Sequence, residues 1–114
     1  MAHTLDAARR TVDAARDAAV THAVIQNRRF DANIRRVRGF LESGELGVLT
    51  TLNADFYIGA HFGGFRDAMR HPLLLDMAVH TFDAARLLSG ADAVRAYCLE
   101  WNPAGSWYAR REAP

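Results

Sequence analysis

The chain has 114 residues, 50% hydrophobic and 24% charged, with a formal net charge of +1. That is enough for one small globular domain, and it excludes both a disordered tail and a binder driven by bulk charge toward nucleic acid or membrane. All 14 basic residues are arginine, so Schiff-base chemistry, a lysine acid and a lysine phosphate clamp are excluded within these residues. The single cysteine, Cys98, excludes an internal disulfide and a cysteine-based zinc site. It falls in an apolar pattern and is expected to be a buried, inert thiol. No apolar run reaches membrane-spanning length and the Met-Ala-His-Thr-Leu-Asp start lacks a signal-peptide layout, so a cytoplasmic location is the default expectation.

Thr4 suits a helix N-cap with Asp6 in the first turn, and Leu5, Ala8, Val12, Ala15 and Ala19 recur at helical spacing along one face. Thr21 to Gln26 reads as a short strand. Asp31 then caps a second helix, with Ile34, Val37 and Leu41 inward, Arg35, Arg36 and Arg38 mostly outward, and Gly44 in the usual place for a C-cap. Val48 to Ile58 alternates and reads as a strand. Gly59 to Arg70 reads as a loop, within which Phe62-Gly-Gly-Phe65 offers a binding lip. Pro72 suits the first turn of a third helix that runs to about Leu88 and stops at Ser89-Gly90. Val94 to Trp101 alternates again, Asn102 to Gly105 is a turn, and Ser106 to Ala109 starts a returning strand. The expected fold class is therefore α+β, with about three helices on a partial open mixed sheet, and both ends read as interior to a larger fold.

The third helix carries the chemistry. Asp76, His80 and Asp83 are four and three apart, which sets an imidazole between two carboxylates on one helix face. Two readings stand: a histidine satisfied by its neighbours for structural reasons, or a base that works near neutral pH. A metal site built from His80, Asp76 and either His71 or His61 lacks a familiar ligand spacing, and none is assigned. Arg28, Arg29, Arg35, Arg36 and Arg38 form a basic cluster that reads as a solvated helix face, not a nucleic-acid interface. There is no Gly-x-Gly-x-x-Gly, phosphate loop or nucleophile elbow.

Gln26-Asn-Arg-Arg-Phe30, Gly44-Glu-Leu-Gly47 and Leu74-Leu-Asp-Met-Ala-Val-His80 with Asp83 occur in that order. They resemble the glucose–fructose oxidoreductase/inositol dehydrogenase (Gfo/Idh/MocA) family. Thr4-Leu-Asp-Ala-Ala-Arg looks like the segment that follows this family's Glu-Lys-Pro motif. The resemblance covers nearly the whole chain, as an internal fragment. It implies an NAD(P)-dependent oxidoreductase that moves a hydride between the nicotinamide and a carbinol of a sugar or cyclitol. On that resemblance His80 is the general acid/base, Asp76 holds substrate or orients the imidazole, and Asn27 and Arg28 lie near the nicotinamide of NAD or NADP. Residues 1–26 would be the last helix and strand of a dinucleotide-binding domain, and 27–114 the first half of the substrate and oligomerisation domain.

The departures are as specific. The glycine fingerprint and the family's catalytic lysine have no counterpart here, and Arg70-His71-Pro72 replaces the glycine run that often precedes the Asp-x-x-x-His helix. These residues alone are therefore expected to be inactive as a dehydrogenase. The alternative from a different class is an association module that forms a homo-oligomer, or complements a partner, through open sheet edges.

Overall fold

The computed structural model describes residues 2–59 and 61–106. Three α-helices carry the architecture: α1 (Leu5–Asp17), α2 (Ala32–Ser43) and α3 (Val79–Ser89). Short 3-10 turns lie at Asn27–Phe30 and Gly64–Ala68, and a π-helical turn at Leu73–Ala78 runs directly into α3. No helix among the described residues is long and apolar enough to cross a membrane.

The helix ends follow from local chemistry. Thr4 Oγ1 accepts from the Ala7 amide at 3.2 Å and starts α1. Asp31 Oδ1 accepts from the amides of Asn33 and Ile34 at 2.8 and 3.3 Å and starts α2, covering donors that the first helical turn leaves unpaired. Gly44 at φ +76° ends α2 and Gly90 at φ +65° ends α3, in the left-handed conformation that glycine adopts without a Cβ penalty. Arg38 of α2 donates from Nη1 to the Leu87 carbonyl at 2.9 Å. A cation thus meets the negative end of the α3 dipole and ties the two helices together.

α2, α3 and the 3-10 turn Asn27–Phe30 pack on one another and the π turn packs on α3, whereas neither α1 nor the backbone of the turn Gly64–Ala68 packs against another helical element. On α1, Ala8 and Ala15 are half-buried while Leu5 and Val12 are exposed. On α2, Ile34, Leu41 and Arg38 are half-buried and Val37 is exposed. Ile34, Leu41, Arg35 and Arg36 lie as expected, and the places of Val37 and Arg38 are corrected. Arg38 turns inward because the α3 carbonyl gives its charged end a partner.

The expected α+β fold is also corrected. Where strands are expected at 21–26, 48–58 and 94–101, the structure has none, and the described residues contain no sheet. Alternation shows that a segment could lie half-buried on a pleated surface. A ladder forms only where a neighbouring backbone supplies its N–H and C=O groups. Here no such neighbour is in place, and Val48, Tyr57, Val94, Tyr97 and Leu99 are exposed. The returning strand expected over 106–109 falls almost wholly outside the described residues.

The same fact appears in the dimensions. The radius of gyration is 17.1 Å, against about 13 Å for a compact domain of this length. The accessible surface is 9250 Å², where a compact protein of this mass exposes about 6,200 Å². Pro72 is the one buried residue among those described, and Cys98, expected inside, is exposed. Packing is concentrated where α2, α3, the turn Asn27–Phe30 and the π turn meet.

Candidate functional site

His80 lies in the first turn of α3 and is half-buried. Its two expected carboxylate neighbours are both engaged elsewhere. Asp83 accepts from Arg29 Nε at 2.9 Å and Nη2 at 2.6 Å, across 54 positions of sequence. Asp76, in the π turn, accepts from Arg66 Nε through Oδ2 at 2.5 Å. His80 Nδ1 is shielded from solvent and has no hydrogen-bond partner. Asp76 lies in the π turn, and His80 and Asp83 lie in the α3 helix that continues it. The structural reading of their spacing, an imidazole satisfied by its flanking carboxylates, does not describe the geometry.

Each carboxylate is held by an arginine from a different element. Arg29 comes from the 3-10 turn that follows residue 26, packed on α3. Its hydrogen bonds to Asp83 raise the guanidinium pKa further above its already high value, opposed by partial desolvation and aided by the charge of Asp83. Arg66 comes from the 3-10 turn Gly64–Ala68. Its guanidinium lies over the Phe62 ring at 5.4 Å and over the Phe65 ring at 4.6 Å, within cation–π range of both.

The Phe62-Gly-Gly-Phe65 segment is thus a clamp on an arginine, not a free lip. Gly63 has φ +65° and ψ −161°, and Gly64 has φ +66°. The first is a combination that is essentially restricted to glycine, and it lets the chain bring both rings to one guanidinium.

Two clefts open beside Asp76. One, of about 160 Å³, is bounded by Ala2, His3, Phe65, Met69 and Leu75. The other is bounded by Ile58, Phe62, Arg66, Pro72, Leu73 and Met77, and at about 10 Å³ has room for about one water. A larger cleft of about 540 Å³ lies on the far side of the Arg29–Asp83 pair, lined by Val24, Ile25, Gln26, Arg29, Phe30, Asp83 and Arg86. Its size is that of a small-molecule site.

Of the residues expected near a cofactor, Asn27 is exposed at the start of the 3-10 turn and Arg28 is half-buried, with its guanidinium 5.0 Å from the centre of the Phe56 ring. The turn that carries them adjoins the 540 Å³ cleft through Gln26 and Arg29. The cleft can admit a planar amide-bearing ring. The phosphates of a dinucleotide would need a helix N-terminus opened by glycines, and this sequence has no such fingerprint.

The other histidines stand apart from His80. His61 Nε2 pairs with Asp67 at 2.7 Å, and His71 Nδ1 pairs with Glu100 Oε2 at 2.6 Å. Among the described residues no three His, Cys, Asp or Glu side chains converge on a common point. The sequence reading missed Arg29 and Arg66. For Arg66 a local signal exists, an arginine beside Phe-Gly-Gly-Phe and ten positions before Asp76. For Arg29 there is none, because only the tertiary fold brings it to Asp83.

Two curated relatives are similar to this chain. The protein y4oX of Sinorhizobium fredii is 29% identical over 107 residues, covering 90% of this chain and 30% of the relative. The oxidoreductase YrbE of Bacillus subtilis is 30% identical over 104 residues, covering 82% of this chain and 28% of the relative. The chain thus spans less than a third of the length of the relatives it matches. No family model matches it, and no solved structure matches it.

Proposed function

We propose that these residues form part of an NAD(P)-dependent oxidoreductase of the Gfo/Idh/MocA type, acting on a carbinol of a sugar or cyclitol. The coarse class is supported by similarity to an oxidoreductase over 104 residues. The observation that carries the chemical reading is His80: a shielded Nδ1 without a partner, between two carboxylates that arginines hold elsewhere.

A nicotinamide cofactor, when bound, supplies the hydride acceptor or donor. The work of this chain is to move the proton. His80 takes the proton from the substrate hydroxyl oxygen during oxidation and returns it during reduction. Asp76 lines the 160 Å³ cleft and accepts a hydrogen bond from a second substrate hydroxyl. Asn27 and Arg28 stand on the nicotinamide side, next to the 540 Å³ cleft. In this reading residues 1–26 belong with the dinucleotide-binding part and 27–114 with the substrate-binding part. In the structure α2, α3 and the turn Asn27–Phe30 pack on one another, and α1 does not join them.

The test is nicotinamide reduction by the complete polypeptide that carries these residues, with NAD⁺ or NADP⁺ and a panel of aldoses, polyols and cyclitols. Turnover with at least one member is expected. Residues 1–114 alone are expected to give none, because they supply no pyrophosphate site. Failure of the complete polypeptide with every member counts against the reading.

A second reading has its own observation. The exposed Val48, Tyr57, Val94, Tyr97 and Leu99, together with the excess of accessible surface, favour association with another chain or a second copy. The sheet edges expected to mediate this are not formed, so the support is exposed apolar surface alone. Sedimentation of residues 1–114 in dilute solution tests it, and a clean monomer with a cooperative melt excludes it.

A further inference from the structure

We infer that Arg66 is a positioning residue of the proposed site, holding the Asp76 carboxylate off His80 so that the imidazole Nδ1 keeps no carboxylate partner. The inference rests on the reading of His80 as the acid/base, and it assigns a role that neither the motif nor the spacing gives to Arg66.

Three observations carry it. Asp76 in the π turn and His80 in the α3 helix that continues it are four apart, and side chains at about one turn's spacing are neighbours able to pair. Nevertheless His80 Nδ1 is shielded and unpartnered while Asp76 Oδ2 takes Arg66 Nε at 2.5 Å. The arginine is also fixed on its other side. Its guanidinium is held by the rings of Phe62 and Phe65 at 5.4 and 4.6 Å, and the left-handed Gly63 and Gly64 set those rings in place. A planar cation stacked on aromatic faces and bonded through Nε to a carboxylate is a geometry that lysine cannot reproduce.

The consequence follows from the inventory of donors and acceptors. Were Arg66 removed, the Asp76 carboxylate would be free to turn toward an Nδ1 proton four positions on. That carboxylate would then fix the imidazole tautomer, and it would leave the cleft that it lines. With Arg66 present, Asp76 stays on the cleft side and His80 Nδ1 keeps no carboxylate partner. Asp83 needs no such device from Arg66, because Arg29 already holds it from the opposite end of the face.

The test uses the intact chain labelled with ¹⁵N-histidine and reads the ring nitrogens of His80 by long-range ¹H–¹⁵N correlation. In Arg66→Met the Nδ1 resonance is expected to move toward the position of a hydrogen-bonded N–H, and in Arg66→Met/Asp76→Asn it is expected to return to the wild-type position. Asp76→Asn alone is expected to leave His80 unchanged; if Arg66→Met loses its helical circular dichroism, Arg66→Lys, which keeps the charge but not the stacked geometry, takes its place with the same expected shift and the same overturning result. An unchanged His80 in Arg66→Met overturns the inference. So does a shift that persists in the double variant, or a shift in Asp76→Asn alone. The acid/base reading fails separately, if turnover survives His80→Ala whatever the resonances show.

Discussion

Arg29 and Asp83 lie 54 positions apart in sequence and meet through two hydrogen bonds of 2.9 and 2.6 Å. The Asp83 side chain is only 11% exposed, so its carboxylate depends on that one guanidinium. Removing the arginine alone strands the carboxylate, whereas removing both leaves an apolar contact. Arg29→Met is therefore expected to lower the urea midpoint more than Arg29→Met/Asp83→Leu does. The pair has a definite pH signature. Because folding raises the Arg29 pKa, its contribution is fully present below the ordinary arginine range and is lost only as pH rises through the still higher folded value. Urea midpoints between pH 6 and 9 should show no dependence that Arg29→Met abolishes; such a dependence would contradict the assignment.

The α2 cap offers a second test. Asp31 covers the amides of Asn33 and Ile34, and replacing such a cap by alanine costs about 1 kcal/mol. Asp31→Ala should lower stability by about that amount in chemical denaturation, with helix lost from α2. Asp31→Asn, which keeps an acceptor in the same place, should recover most of it.

Gly63 sits at φ +65°, ψ −161°, where a Cβ would strain the backbone by about 1–3 kcal/mol. An added Cβ at this position would lie 3.7 Å from Asp67 Oδ2, an ordinary contact, so any effect is conformational. Gly63→Ala should reduce stability and broaden the Arg66 Nε–H resonance as the two rings leave the guanidinium. A sharp, unmoved resonance would show that the clamp does not depend on this turn.

Cys98 is exposed. A disulfide-forming thiol reagent should modify it in the folded chain about as fast as in urea. Protection of tenfold or more would place the thiol inside, as the apolar pattern around it suggests.

The helices were largely legible in the sequence because their signals are local. Thr4, Asp31, Gly44 and Gly90 each act within a few residues, and all four cap where their chemistry places them. The strands were not legible, because alternation at 48–58 and 94–101 reports what a segment could do and not whether a backbone lies beside it. The Asp76, His80 and Asp83 spacing was visible in the sequence. The hydrogen bonding of these residues was not, since the groups that take the carboxylates, Arg66 and Arg29, arrive through tertiary folding. The π turn Leu73–Ala78 also left no trace in the hydrophobic pattern, although wide turns of this kind recur at functional sites.

The central claim is that His80 moves the proton in a hydride transfer. The most direct measurement compares wild type and His80→Ala in the complete polypeptide that carries these residues, following nicotinamide absorbance with a substrate that the wild type turns over. Loss of turnover by roughly 10²–10⁴-fold, with binding of NAD(P) retained, is the predicted result. Equal turnover in the two proteins would contradict it and return His80 to a structural role.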